Sequence, residues 1–137
     1  MSRVINPDST GKDRTRLTKA IVLSLRELAR QTDTGSESHD LAAFIVLALQ
    51  TISDGIDISV TAWEKRGYWV KADRFRMDWM WTGRLAAKLK DALLAENWEG
   101  IALLLPQIAS HLEKVEVGPN HRLGKPWEGS WRALRRD

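Results

Sequence analysis

The chain has 137 residues, of which 43% are hydrophobic and 28% are charged, with no cysteine and a formal net charge of +3. The length fits one domain, and the apolar fraction argues against a chain that is disordered throughout. Without cysteine, the protein has no disulfide, no thiolate nucleophile and no zinc site built on sulfur. The unusual component is aromatic: seven Trp, two Phe and one Tyr.

The net charge comes from one end of the chain. Residues 1–117 hold 16 Lys or Arg and 16 Asp or Glu, which cancel, whereas residues 118–137 hold five cations and two carboxylates. The N-terminus has no apolar stretch of the signal-peptide kind. The longest apolar run, residues 41–53, is shorter than the roughly 20 residues that span a bilayer. We therefore expect a soluble, cytoplasmic protein without a membrane segment.

The first half of the chain predicts two helices. Residues 1–9 are expected to form an irregular arm, and Thr10 offers an N-cap for a first helix over about 13–31, where apolar residues repeat at three and four. A polar linker separates it from a second helix over about 39–66, which is apolar throughout residues 41–49. Gly55 marks a possible irregularity in that second helix.

The second half predicts two more long helices and one short one. Gly67 ends the second helix, a third runs over about 68–96, and Asn97 caps a fourth over about 98–114. Pro106 is expected to kink or divide the fourth helix. A short helix is predicted over about 127–135.

These elements predict an all-α protein, an antiparallel bundle of four main helices plus a short C-terminal helix. Residues 1–117 form the bundle domain with its N-terminal arm. Residues 118–137 form a basic, Trp-containing tail that is docked on the same domain or on a partner subunit.

The third predicted helix is apolar over much of its circumference, although a helix on the outside of a monomer needs only one apolar stripe. At 100° per residue, Trp79 and Trp81 face nearly opposite directions. Two explanations fit: its own chain packs the helix on two sides, or one aromatic face meets a second subunit. Trp, Tyr, Met and Arg are enriched at interface centres, and two-fold dimers are the commonest oligomers, which favours a homodimer.

The leading prediction is therefore a noncatalytic interaction or scaffold protein that pairs with a second copy of itself. Trp127 and Trp131 lie four residues apart, so a short helix in the tail would place them on one face. The predicted interface draws on the third helix and the tail, through Trp69, Trp79, Met80, Trp127 and Trp131.

A dense mixture of cations and aromatic rings occupies residues 63–76. Arg binds anions through two hydrogen bonds and aromatic rings stack on bases, so one alternative function is weak binding of nucleic acid or another anion. Helix-spaced ion pairs and cations over indole rings explain the same residues without a ligand, and we favour that interpretation. With the tail arginines, the candidate anion-binding residues are Lys65, Arg66, Lys71, Arg74, Arg76, Arg132, Arg135 and Arg136.

An enzyme with a site assembled between helices is the third alternative and has the least support. The chain has no Gly-x-Ser-x-Gly elbow and no Glu-x-x-His pair, and its three histidines are not spaced as helical metal ligands. Asp54 and Asp57 lie three residues apart near Gly55, but we expect them on an exposed helix surface. The sequence thus predicts no catalytic residue, no metal ligand and no cofactor.

Overall fold

The structure, a computed structural model, describes residues 7–136, with side chains from residue 11 onward. This part of the chain is all helical, as predicted, and its helices pack as a bundle. The four main helices are α1 (Pro7–Arg30), α2 (Ser36–Lys65), α3 (Trp69–Leu94) and α4 (Trp98–His111), followed by the short α5 (Ser130–Arg135).

The first helix begins earlier than the sequence predicts. Pro7 is the first residue of α1, so the predicted start near residue 13 is wrong and Thr10 lies within the helix. Proline is favoured at the first helical position because its missing N–H would have no partner there. Residues 7–9 of the predicted arm are therefore helical, and its residues 1–6 lie outside the described part of the chain.

Helix α2 forms the centre of the bundle and contacts α1, α3 and α5. Leu41, Ile45 and Leu49 have no exposed surface, as expected for a run that is apolar on nearly every side. The helix continues without interruption through Gly55, which is itself buried. Burial of α2 thus explains why its apolar pattern lacks a polar stripe over residues 41–49.

The breaks between α2, α3 and α4 follow the predicted signals. Gly67 has a φ of +81°, which ends α2, and the Asn97 side chain accepts a hydrogen bond of 3.0 Å from the Gly100 N–H at the start of α4. A kink or a division of α4 was expected at Pro106, and the division does not occur, because one helix runs through that residue. Pro106 is exposed, so its ring faces away from the packed side of the helix.

The C-terminal tail packs on the same chain, against the first turns of α2. Trp127 is only 4% exposed and Leu134 is buried with it in the common core. The Asp40 carboxylate accepts hydrogen bonds from the N–H groups of Trp131 (2.9 Å) and Gly129 (3.3 Å). A carboxylate from α2 therefore caps α5, which satisfies backbone donors that its own sequence leaves free.

Among the described residues, α2 alone is long and apolar enough to cross a membrane. Its most apolar 18-residue window has a mean hydropathy of 1.6, and 56% of that window is buried inside the bundle. The buried core helix of a globular protein has the same length and composition.

Candidate functional site

The outer face of α3, defined here as Trp69, Val70, Met77 and Met80, is the largest set of exposed apolar side chains on one helix. Their exposed fractions are 58%, 77%, 72% and 59%. The opposite side of α3, including Leu85, Leu89 and Leu93, is buried against the rest of the bundle. Isolated exposed apolar residues are ordinary, but these four fall within about 100° of the circumference of one helix, which is typical of an interaction surface.

Charges of both signs lie on the same side of α3 as the outer face. Asp73 and Arg84 are exposed and lie eleven residues apart. At 100° per residue this spacing is about 20° beyond three full turns, so the two residues lie on nearly the same side of α3. Ala87 and Lys88 are exposed farther along α3. The surface therefore alternates apolar and charged groups rather than presenting one sign of charge.

Two of the predicted interface residues, Trp69 and Met80, lie on the outer face, whereas Trp79 does not. Trp79 is half-buried, and its ring centroid lies 6.3 Å from that of the buried Trp81 at an interplanar angle of 23°. The expectation that these two residues face opposite directions is therefore wrong for their rings. Besides this contact with each other, Trp79 lies against Arg14 of α1 and Trp81 stacks on His111 of α4.

The two tryptophans of the tail lie against their own chain. Trp127 is in the core, and the half-buried Trp131 contacts His39 with ring centroids 5.0 Å apart. Within this chain, neither ring belongs to the exposed surface that contains Trp69 and Met80. An interface role for Trp127 and Trp131 stays a prediction.

The candidate anion-binding residues of α2 and α3 are divided among several surroundings. Arg76 donates hydrogen bonds to Glu64 (3.1 Å) and Asp73 (2.7 Å). Both bonds raise the pKa of its guanidinium, and the bond to Glu64 has the larger effect. The Lys71 Nζ lies 4.5 Å from the centroid of the Trp63 ring. The structure therefore supports helix-spaced pairing and cation–π contacts for these residues.

The remaining candidate cations do not form one surface. Arg74 lies beside Val70 and Met77 on α3, and Arg66 lines a separate cavity on the α1 side. In the tail, the Arg135 Cζ lies 4.7 Å from the Trp131 ring centroid. Lys65, Arg132 and Arg136 are exposed.

A cavity of about 360 Å³ lies where α1, α2 and the start of α3 meet; we call it the Arg14 cavity. The Arg14 Cζ lies 5.1 Å from the Phe75 ring centroid and 5.3 Å from that of Trp79. Burial of this group, which removes part of its hydration, lowers its pKa from the ordinary arginine value. The cavity is lined by Gly11, Arg14, Ile58, Ser59, Ala62, Trp63, Arg66 and Phe75.

A wider groove of about 620 Å³ runs between α1 and residues 116–123. Lys12, Arg16 and Lys19 line its α1 side, and Arg122 lies on the opposite wall with one acidic residue, Glu116. Both concave surfaces thus use cations of α1. The sequence does not predict either one, because each joins cations of α1 to a cation far along the chain, Arg66 in the cavity and Arg122 in the groove.

The described residues were also compared with the side-chain groupings that hold metal ions. No group of three or more His, Asp or Glu side chains in residues 11–136 is placed to hold a metal ion. Asp54 and Asp57 are both exposed on α2. Comparisons of the chain with protein-family models, curated proteins and solved structures found no match.

Proposed function

We propose that this protein is a noncatalytic interaction module that pairs with a second copy of itself through the outer face of α3. The observation that carries the proposal is the run of four exposed apolar side chains on one helix, Trp69, Val70, Met77 and Met80. Burying such side chains is favourable at roughly 25 cal/mol per Å² of apolar surface, and Trp and Met are enriched at interface centres. The proposed cellular site is the cytoplasm.

A second copy of this chain fits the face because its charges are self-complementary. In an antiparallel helix pair about a two-fold axis, residues that face each other lie at equal distances on either side of the crossing point. Asp73 and Arg84 share a midpoint between residues 78 and 79, and Met77 and Met80 share the same midpoint. One crossing therefore places Met77 on the partner's Met80 and Asp73 on the partner's Arg84, each twice.

The apolar part of this proposal is tested by Met77→Glu. A dimer is expected for the unmodified chain at micromolar concentration, and the variant is expected to be monomeric because each copy would place a carboxylate in the apolar contact. Sedimentation velocity over a wide concentration range measures both. Leu103→Glu on α4 is the matched control, because Leu103 is also 72% exposed and lies outside the outer face. A monomer at every concentration of the unmodified chain would overturn the proposal.

The register is tested by exchanging the charges of Asp73 and Arg84. Asp73→Arg and Arg84→Asp are each expected to weaken dimerisation by about tenfold, because each brings like charges together. The double variant restores opposite charges and is expected to recover most of the affinity. If the double variant dimerises more weakly than either single variant, this register is wrong. The Met77→Glu test of the apolar contact does not depend on that result.

Nucleic-acid binding is the weaker alternative. Two of the five cations of residues 63–76 have partners within the chain: Arg76 pairs with Glu64 and Asp73, and Lys71 lies over the Trp63 ring, which reduces the positive charge that this segment offers to a phosphate. Labelled DNA and RNA, titrated at two salt concentrations, distinguish the two functions, because phosphate contacts produce steep salt dependence and an apolar dimer contact does not.

A further inference from the structure

We propose that the Arg14 cavity binds a small organic anion that carries a planar apolar group. The proposal is independent of the dimer, because the residues of the outer face do not line this cavity. At about 360 Å³, the cavity lies near the lower end of the range of small-molecule sites, which suits a ligand of one or two rings.

The charge of the cavity selects for an anion. Arg14 and Arg66 both line it, and none of the described residues that line it is acidic. Among the described side chains, no carboxylate forms an ion pair with either group. The nearby Glu64 is bound by Arg76 at 3.1 Å. A carboxylate or phosphate group of a ligand could therefore accept charge-assisted hydrogen bonds from these two arginines.

The walls of the cavity select for a flat apolar group beside that anion. The rings of Trp63 and Phe75 lie with centroids 4.8 Å apart, and Ile58 and Ala62 add aliphatic surface. Arg14 is held over the Phe75 face, so its guanidinium loses part of its hydration before a ligand arrives. Less water is then displaced when an anion binds, which strengthens the charge interaction. The Ser59 side chain supplies a hydroxyl on the same lining.

The test is a titration of the full chain with benzoate, phenyl phosphate, inorganic phosphate and benzylamine, followed by amide and indole NMR signals. Benzoate or phenyl phosphate at millimolar concentration is expected to shift the Trp63 indole signal and the amides near Gly11 and Ser59. Inorganic phosphate is expected to bind more weakly because it lacks a ring, and benzylamine is expected not to bind. Absence of shifts at Trp63 with both aromatic anions would overturn the proposal.

Variants identify the groups responsible. Arg66→Met is expected to weaken binding by about tenfold or more, since it removes a charge-assisted hydrogen bond, and because Arg66 is exposed the variant should fold normally. Arg14→Lys keeps the charge but removes the planar fork, and it is also expected to weaken binding. Arg16→Met is the matched control, because Arg16 lines the wider groove on the other side of α1. Equal loss in Arg16→Met and Arg66→Met would indicate attraction to net charge alone and would overturn the proposal.

Discussion

At the scale of single residues, His39 joins three parts of the chain. Its Nδ1 lies 2.8 Å from the Gly35 carbonyl oxygen, and its Nε2 lies 2.6 Å from a Glu96 carboxylate oxygen. Both partners are acceptors, so the imidazole can satisfy both only when both nitrogens carry a proton. Its ring also contacts Trp98 and Trp131, each with centroids 5.0 Å apart. The start of α2 is thereby linked to the α3–α4 turn and to α5.

The pKa of His39 is the balance of opposing effects. Partial burial lowers it, whereas the hydrogen bonds to Gly35 and Glu96 and the charge of Glu96 raise it, and the charge of Arg135 lowers it slightly. The net direction is upward from the ordinary value of 6.5. The folded protein therefore binds this proton more tightly than the unfolded chain does.

Because its pKa is raised on folding, His39 is expected to stabilise the protein more in mild acid than at neutral pH. The stabilisation is complete below pH 6.5, the unfolded pKa, and is lost as the pH rises through the higher folded pKa. It is expected to amount to less than about 1 kcal/mol, because the Glu96 side chain is 61% exposed. Urea unfolding at a series of pH values measures it.

His39→Gln is the variant that isolates this effect, because glutamine does not titrate. Its free energy of unfolding is expected to change less between pH 6 and pH 8 than that of the unmodified chain. His121→Gln serves as the control, since His121 is exposed and lies outside the contacts of α5. An identical pH dependence in His39→Gln and the unmodified chain would contradict the prediction.

At the scale of helices, Gly83 of α3 packs directly against the Ser53 side chain of α2. A Cβ atom added at Gly83 would lie 2.8 Å from the Ser53 Oγ and 3.6 Å from the Ser53 Cβ. The first distance is too short for a stable contact, whereas the second is ordinary van der Waals contact. The hydroxyl of Ser53, and not the backbone of α2, is therefore what excludes a side chain at position 83.

A double-mutant cycle is expected to reveal this coupling. Gly83→Ala should stabilise the protein by up to about 1 kcal/mol in a Ser53→Ala background, because alanine favours helix more than glycine does. In the unmodified background the gain should be smaller or reversed, since the Ser53 hydroxyl must turn away. Thermal and urea unfolding of the four proteins measure the coupling energy, and additive effects would rule out the contact.

At the scale of the whole molecule, the tail is part of the fold. Trp127 and Leu134 belong to the same buried cluster as the residues of α1 to α4, although they follow a long segment without helix. Asp40 and His39 on α2 contact this tail with hydrogen bonds and a ring contact. The basic end of the chain is thus held by packing, and its arginines lie around an apolar anchor.

Substitutions of two tryptophans distinguish a residue that stabilises the core from one on the proposed dimer surface. Trp127→Ala is expected to lower the free energy of unfolding by about 3–5 kcal/mol, because it leaves a cavity in the core. Trp69→Ala is expected to change monomer stability by less than about 1 kcal/mol, because Trp69 is 58% exposed, and to weaken dimerisation instead. Unfolding and sedimentation of the two variants measure both effects. Similar unfolding curves for both would contradict the assignment of Trp127 to the core.

Local signals in the sequence predicted the class of fold and nearly all of its helices. Apolar residues at helical spacing, Gly67 and Asn97 are local signals, so they predict α2, α3 and α4 within three residues at each end. The start of α1 was missed because Asn6-Pro7-Asp8-Ser9 resembles a turn, although proline also begins helices. Pro106 was expected to kink or divide α4, because a sequence does not show which side of a helix faces solvent.

The grouping of aromatic and charged residues on shared surfaces became visible only in the packed helices. Trp69 and Trp127 are the same residue type, yet one is exposed on α3 and the other is in the core, because burial depends on what packs against each helix. The Arg14 cavity joins residues of three helices, from Gly11 to Phe75, and the Asp40 cap on α5 spans 91 residues to Trp131. Local patterns carry no information about such long-range neighbours, because helix packing alone brings them together.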